Sequence, residues 1–221
     1  MVQTSTLNFL KILSKNNNKV WFDAHRNQYI DAKDDFGKFV SQLITGTSKF
    51  DADIKDLQLK DCVFRINRDI RFSKNKTPYK TNLAASLDKG GKKSIYAGYY
   101  FHLEPGKSFV AGGIWMPMAP DLKKIRQEID YCFDEFRGIV TNKNFKAAYG
   151  KLEATDDIKL TNLPRGYNKE NPAAEFLKLK SLIVSKPIAD DELTKSNLVK
   201  RTTRSFEMLM PLIKFINKAL E

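Results

Sequence analysis

The chain has 221 residues and carries 38 lysines and arginines against 26 aspartates and glutamates, a formal net charge of +12. This length is enough to bury a substantial core, and no linker rich in glycine, serine or proline divides it, so we expect a single domain over residues 1–221. The N-terminus lacks the pattern of a signal peptide, and no window approaches about eighteen uninterrupted apolar residues, which argues against secretion and membrane insertion.

The first part of the sequence has the apolar spacing of helices. Leucines at 7, 10 and 13 recur at the helical step until the asparagines at 16–18 interrupt them, which predicts a first helix that ends there. A second helix is predicted over about 19–45, with Gly46 as its end. The apolar face of this second helix includes Phe22, Tyr29, Phe36, Val40 and Leu43.

Between about 62 and 116 the apolar residues alternate with polar ones, which is typical of strands. Four strands are predicted, at about 62–66, 83–87 and 95–103, with a fourth that ends near 114–115. Glycines at 90–91 and the Pro105–Gly106 pair supply turns, so the last three strands should form an antiparallel meander. In the fourth strand the pair Gly112–Gly113 predicts either a bulge or a close approach by another group.

Helical spacing returns after the predicted sheet. Pro120 suits a first helical position, and the apolar stripe that follows predicts a helix over about 120–137. A shorter helix is predicted at about 171–178, and 182–184 as a further strand. The C-terminus also has helical spacing, with Pro211 expected to kink that helix or to begin a new one.

The order of these elements predicts the fold class. Strands cluster in the middle of the chain and helices lie before and after them, instead of alternating strictly with the strands. We therefore predict an α+β fold, with a central antiparallel sheet at about residues 62–116 flanked by N-terminal, middle and C-terminal helices.

The cysteines and histidines do not suggest a metal site. Cys62 on a predicted strand and Cys132 on a predicted helix lie on apolar faces without metal-type spacing, so we expect buried free thiols, as in the reducing cytoplasm. The only histidines are His25 and His102, and no cluster of cysteines or acids accompanies them, so no metal is predicted. The sequence indicates no cofactor.

The segment from Arg65 to Lys80, called the basic segment below, is the most concentrated chemical feature of the chain. It holds six cations against one acid, Asp69. Arginines present planar forks that suit phosphate or carboxylate, and lysines add point charges on flexible stems. We therefore predict an anion site, with Arg165 of a later turn as a further contact. The predicted anion-binding residues of the segment are Arg65, Arg68, Arg71, Lys74, Lys76, Tyr79 and Lys80.

Two residues of the third predicted strand are candidates for proton transfer. Tyr100 and His102 lie on one face of that strand, which Arg65 is expected to share. An imidazole with a pKa near neutrality beside an anion site is what general acid–base catalysis requires, so His102 and Tyr100 are the predicted catalytic residues. The alternative is that His102 is a hydrogen-bonded packing residue among tyrosines.

The sequence also resembles a bacterial and fungal family of conserved hypothetical proteins. The resemblance covers roughly residues 5–218. It rests on Asn16-Asn17 with Val20-Trp21-Phe22, on Arg65-Ile66-x-Arg68-Asp69-x-Arg71-Phe72-Ser73-Lys74-x-Lys76-x-Pro78-Tyr79-Lys80, on Gly98-Tyr99-Tyr100 with His102-Leu103-Glu104-Pro105-Gly106, and on Pro164-Arg165-Gly166-Tyr167 and Leu177-Lys178-x-Lys180. The family is a domain of unknown function, so the resemblance implies one domain and supplies no activity, cofactor or catalytic residue.

Three functional hypotheses follow from these features. The leading one is a pocket for an anionic small molecule bearing phosphate or carboxylate, in a protein that is either an enzyme or a binding protein. The second is a module that binds nucleic acid weakly and without sequence preference, since the chain lacks helix-turn-helix, zinc-finger and ribonucleoprotein motifs. In the third, the basic segment is a structural network of ion pairs without a ligand, which requires acids near each arginine.

Overall fold

The computed structural model describes all residues from 1 to 221 and contains ten α-helices and one four-stranded antiparallel sheet, which confirms the α+β prediction. The strands are β1 (Leu83–Asp88), β2 (Gly98–Leu103), β3 (Phe109–Ile114) and β4 (Leu182–Pro187). The helices are α1 (Thr4–Lys15), α2 (Lys19–Ala24), α3 (Arg26–Thr47), α4 (Leu59–Cys62), α5 (Ala119–Tyr131), α6 (Phe133–Thr141), α7 (Lys143–Tyr149), α8 (Ala174–Leu177), α9 (Asp190–Leu193) and α10 (Leu198–Lys218).

The sheet has the strand order β1-β2-β3-β4, and each neighbouring pair is antiparallel. The first three strands form the predicted meander, and the predicted strand at 182–184 adds β4 at the edge. Gly106 has a φ of 76° in the turn between β2 and β3, where Lys107 N–H donates to the Glu104 carbonyl at 2.9 Å. The turn chemistry therefore agrees with the sequence-based prediction.

The predicted first strand at about 62–66 is wrong. Cys62 ends helix α4, and the chain after it joins the sheet through a single bridge between Val63 and Ala85. The segment then folds back on itself, because Arg68 N–H donates to the Pro78 carbonyl at 2.9 Å and Lys80 N–H donates to the Ile66 carbonyl at 2.8 Å. Phe64 N–H donates to the Ala84 carbonyl of β1 at 3.0 Å, but the chain turns away after it, so the contact with the sheet edge does not extend into a fifth strand.

Two predicted helices are each divided in two. The helix predicted over about 19–45 breaks at His25, between α2 and α3, and the one predicted over about 120–137 breaks at Cys132, between α5 and α6. The Asn18 side chain caps the first of these helices by accepting a hydrogen bond from Trp21 N–H at 2.9 Å. Apolar spacing continues across both breaks, so periodicity alone does not detect them.

Gly46 and Pro211 do not end their helices. Helix α3 continues through Gly46 to Thr47, and α10 continues through Pro211. A β-carbon at Gly46 would collide with the Thr203 methyl group, so this glycine permits the two helices to approach closely. Pro211 has no backbone N–H, so it cannot donate the usual helical hydrogen bond to the carbonyl of Glu207, an exposed residue.

One face of the sheet packs on α3 and α10 and forms the centre of the core. The rings of Phe39 and Phe101 lie 4.7 Å apart, and those of Tyr99 and Phe206 lie 5.1 Å apart. One cluster of 46 buried hydrophobic residues includes side chains from both α1 and α10, so the terminal helices share a core with the sheet. Burying each large side chain of this kind contributes about 1.5 to 3 kcal/mol.

The glycine pair of β3 is explained by close approach and not by a bulge. The pairing of β3 continues without interruption on both of its sides. A β-carbon at Gly112 would lie 2.6 Å from Leu209 Cδ1 of α10, and one at Gly113, where φ is 116°, would overlap the Leu182 carbonyl oxygen. These two glycines therefore bring the helix and strand β4 close to β3.

The other face of the sheet, called the outer face below, carries Tyr100 and His102. Side chains alternate along each strand, so Leu83, Ala85 and Leu87 of β1 point into the core while Ser86 and Asp88 point outward. Connecting segments cover part of this face, and it is here that the sequence-predicted catalytic residues lie.

Candidate functional site

Tyr100 and His102 lie together on the outer face, within a chain of polar contacts. The Tyr100 hydroxyl lies 3.2 Å from His102 Nδ1, and Glu104 Oε2 lies 3.1 Å from His102 Nε2. The Asn82 amide nitrogen lies 3.0 Å from Nδ1, and the imidazole stacks on the Phe109 ring with centroids 4.7 Å apart. Both imidazole nitrogens therefore have polar partners, and the ring plane is fixed.

The charges around this imidazole determine which groups act as hydrogen-bond donors. Burial acts to raise the pKa of the Glu104 carboxyl, but hydrogen bonds from Thr81 and His102 outweigh it and hold the pKa below its usual value. An ionised carboxylate only accepts hydrogen bonds, so Nε2 carries the hydrogen and Nδ1 is an acceptor, whose single lone pair both the Asn82 amide and the Tyr100 hydroxyl approach as donors. Burial, followed by the Glu104 charge, raises the pKa of Tyr100 to about 12, so its hydroxyl stays protonated at neutral pH.

The basic segment folds as a hairpin-like loop that three of its own cations stabilise. Arg68 Nη1 donates to the Thr77 carbonyl at 3.1 Å, and its other terminal nitrogen donates to Ser73 Oγ at 3.4 Å. Arg71 forms an ion pair with Asp69 at 2.7 Å. Lys76 Nζ donates to the Ile70 carbonyl at 3.0 Å. These three cations are thus each engaged by other groups of the segment.

Arg65, Lys74 and Lys80 form no ion pair. Lys80 is half-buried, and its Nζ lies 5.4 Å from the centroid of the Phe64 ring. Burial and the positive charge of Arg65 both lower the pKa of Lys80. The Phe64 ring in turn lies 6.3 Å from that of Tyr100, so Lys80 borders the outer face.

Two predicted anion contacts lie elsewhere. The buried Tyr79 ring stacks on Phe22 with centroids 3.9 Å apart, and the Asn17 side chain bonds both the N–H and the carbonyl of Tyr79, at 3.0 and 2.8 Å. Arg165 is exposed in a turn, and Tyr167 of the same turn lies near charged residues of α5. No hydrogen bond or ion pair joins Arg165 to the basic segment. Tyr79 therefore anchors the segment to the N-terminal helices.

Sequence reasoning missed one feature near these residues and did not show the exposure of another. The side chain of Phe72, at the tip of the basic segment, is 95% exposed. Asp88, at the end of β1, is the feature that was missed: it is buried on the outer face at the edge of a cavity that Tyr100 also lines. The small residues of β2 and β3 could have indicated a cavity in the sequence. The alternation of apolar and polar residues does not show, however, on which face of the sheet these small residues leave space.

The fold and this site define an α+β protein whose antiparallel sheet carries a fixed tyrosine–histidine–glutamate chain on its outer face. A family model described as a conserved hypothetical protein (DUF2461) matches residues 5–215, so the chain belongs to that family. No curated protein and no solved structure matches the chain. None of its helices combines the length and the apolar character needed to cross a membrane.

No three side chains of histidine, cysteine, aspartate or glutamate lie together in an arrangement that could hold a metal ion. Cys62 and Cys132 are both free thiols; the first is buried and the second is half-buried. Burial, with the nearby charges of Asp88 and Asp61, raises the pKa of the Cys62 thiol to about 12, so this sulfur stays protonated and unreactive.

Proposed function

We propose that this protein binds an anionic small molecule, bearing a phosphate or carboxylate group, where Lys80 and Arg65 border the outer face of the sheet. The observation that carries the proposal is that Lys80 and Arg65 lie close enough for their like charges to interact, and that neither forms an ion pair with an acid. Lys80 is half-buried beside Arg65, and both factors lower its pKa. Like charges in a partly desolvated position repel each other, so an anion bound between them is stabilised by both.

The neighbouring residues have complementary roles in this proposal. Tyr100 remains a hydrogen-bond donor at neutral pH and reaches His102, whose other nitrogen is oriented by Glu104. Tyr100 and His102 orient the ligand if the protein only binds it. If the protein is an enzyme, they transfer a proton to or from the ligand. Arg68 fixes the shape of the basic segment, while Arg71, Lys74 and Lys76 raise the local concentration of anions.

Isothermal titration with phosphate, pyrophosphate, AMP and citrate tests the proposal, using two variants of equal net charge. Lys80→Met removes the cation at the proposed site, and Lys74→Met removes an exposed, unpaired cation of the same segment. We expect Lys80→Met to weaken binding of the preferred anion by about tenfold or more, the range for a charge-assisted contact, and Lys74→Met by less than about twofold. Equal losses in both variants, or no binding of any anion, would contradict the proposal.

A second candidate function is weak binding of single-stranded nucleic acid, which the exposure of Phe72 favours. An exposed aromatic ring beside Arg71, with Lys74 and Lys76 following in the chain, is the arrangement on which single-strand binders stack bases. The net charge of +12 adds a contribution that depends on salt but not on sequence.

Fluorescence anisotropy with labelled oligonucleotides across a salt series tests this second function. We expect weak binding without sequence preference, and a several-fold loss in Phe72→Ala. Tyr131→Ala is the control, because Tyr131 is similarly exposed but lies on α5. Sub-micromolar binding that persists at about 0.15 M salt and discriminates among sequences would displace the small-anion proposal.

A further inference from the structure

A cavity of about 810 Å³ opens on the outer face, at the end of β2 away from His102. Gly98, Ala111 and Gly113 contribute its floor, and pairing places them side by side, since Gly98 is opposite Gly113 and Tyr100 is opposite Ala111. None of these three residues has a bulky side chain, which leaves room for the cavity above this part of the sheet. A volume of this size accommodates a small organic molecule.

Apolar side chains that are largely exposed surround the opening of this cavity. Trp115 and Met118 are 62% and 73% exposed, and Ile95 and Met116 are also exposed. Met116 has a φ of 44°, and its N–H donates to Ser181 Oγ at 2.9 Å, which turns the chain across the end of β3. Exposed apolar groups concentrated at one opening are typical of a binding site, because a ligand there removes them from water.

The cavity also contains a buried carboxylate that the protein leaves half-satisfied. Asp88 lines the cavity, is only 8% exposed, and forms no ion pair. Ser86 Oγ donates to its Oδ1 at 2.7 Å, and no group of the chain donates to Oδ2. A β-carbon at Gly98 would overlap Oδ1, so glycine is required there for the carboxylate to lie across the floor. Oδ2 is not enclosed by the protein and stays open to the cavity, so a ligand with N–H groups can donate to it directly.

The other charged groups around the cavity are Lys92, Lys93, Asp121 and Glu153. Lys92 Nζ donates to the Lys60 carbonyl, and Glu153 accepts a hydrogen bond from Ser185. Together with Asp88 the lining carries three acids and two lysines, and one of those lysines is engaged outside the cavity. The cavity is therefore net acidic, in contrast to the basic segment.

We propose that this cavity binds a flat aromatic cation, an amidine or guanidine whose N–H groups donate to Asp88 while its ring lies on the glycine floor against Trp115. The charged group of this site, Asp88, differs from those of the proposed anion site, Lys80 and Arg65, although Tyr100 and Phe64 border both. His102 lies four residues along β2 from Gly98, which corresponds to about 13 Å along a strand. Asp88→Asn and Lys80→Met therefore test the two proposals separately.

Three probes of the same shape and different charge test this inference. Benzamidine is a cation, benzamide is neutral and benzoate is an anion. We expect benzamidine to bind to one saturable site by isothermal titration, benzamide to bind at least about tenfold more weakly, and benzoate not to bind there. Trp115 gives an independent signal, because the chain has only two tryptophans and the variant Trp21→Phe retains Trp115 alone. Benzamidine should alter its fluorescence.

Two substitutions locate the site. Asp88→Asn keeps the size of the side chain and should abolish the preference for benzamidine over benzamide, while Asp134→Asn, at an exposed aspartate of α6, should not. Ala111→Leu places a side chain on the floor of the cavity and should weaken both probes. Lys80→Met should leave benzamidine binding unchanged, which separates this test from that of the anion site.

Several outcomes would overturn the inference. One is the absence of saturable benzamidine binding up to about 10 mM. Another is benzoate binding as tightly as benzamidine. A third is benzamidine binding that Asp88→Asn and Ala111→Leu leave unchanged, which would place the probe elsewhere on the protein. Circular dichroism of each variant checks that its fold is intact, so that a loss of binding reports on the cavity.

Discussion

Tyr100 and His102 contact each other across two positions of a single strand, with the hydroxyl 3.2 Å from the imidazole nitrogen. Residues two apart on a strand point to the same face, so β2 brings these groups together without help from any other element. The groups that orient the imidazole come from the ends of the neighbouring strands. Asn82 immediately precedes β1, and Glu104 immediately follows β2. The outer face is thus a fixed polar surface beside an open cavity.

Arg68→Ala should lower the stability of the protein, because the Arg68 guanidinium holds Thr77 and Ser73 of the basic segment. Hydrogen bonds from a charged group that is partly buried contribute about 1.5 to 3 kcal/mol in total. Urea unfolding should therefore show a decrease in the free energy of unfolding of that order. Lys74→Ala, which removes a cation without a partner, is the control and should change it by less than about 0.5 kcal/mol. Equal stability of the two variants would show that Arg68 does not hold the segment.

Asp88→Asn should stabilise the protein at neutral pH. Burial, partly offset by the hydrogen bond from Ser86, raises the pKa of Asp88 to about 6. The folded state therefore binds this proton more tightly than the unfolded state, and the contribution of Asp88 to stability falls as pH rises from about 4 to about 6. Above that window the ionised group costs roughly 3 kcal/mol, which asparagine removes.

Urea unfolding of wild type and Asp88→Asn between pH 4 and pH 8 measures this effect. The variant should be the more stable protein at pH 8, and the difference should shrink toward pH 4. Two curves that run parallel across this range would show that Asp88 has an ordinary pKa in the folded state.

Benzamidine affinity should rise with pH across the same window and level off above it. The amidinium stays charged throughout, so the change comes from ionisation of Asp88, whose pKa is about 6 in the unliganded protein. The other charged groups that line the cavity are Asp121, Glu153, Lys92 and Lys93. We expect about tenfold weaker binding at pH 5 than at pH 8, measured by titration calorimetry. A flat profile, or the same profile in Asp88→Asn, would exclude Asp88 as the partner.

Gly113→Ala should prevent normal folding, while Gly106→Ala should be tolerated. Both glycines have positive φ, at 116° and 76°, but a β-carbon at Gly113 also overlaps the Leu182 carbonyl oxygen of β4, whereas one at Gly106 meets nothing within 4 Å. The turn variant should lose only about 1 to 2 kcal/mol, the cost of a left-handed conformation in a residue with a β-carbon. Thermal unfolding by circular dichroism compares them. Similar melting temperatures would show that β3 and β4 are less closely packed than described.

The unaided sequence correctly predicted those parts of the protein that depend on local spacing. Alternation around Ala85 and Phe101 located β1 and β2, and the Pro105–Gly106 pair located their turn to β3. The same alternation placed Tyr100 and His102 on one face. Each of these features is decided by residues a few positions apart, whose side-chain directions follow directly from the pleat of a strand or the pitch of a helix.

Only the tertiary structure determines which hydrogen-bond and ion-pair partners the polar groups have. Residues 62–66 have the alternation of a strand, but only Val63 and Phe64 contact β1, and the Ile66 carbonyl accepts from Lys80 N–H instead of continuing the pairing. The cation count of the basic segment did not reveal that Arg68 is held by Thr77 and Arg71 by Asp69. The buried carboxylate of Asp88 was equally hidden. Hydrogen-bond partners and burial depend on which distant segments pack together, and no local pattern of residues encodes that.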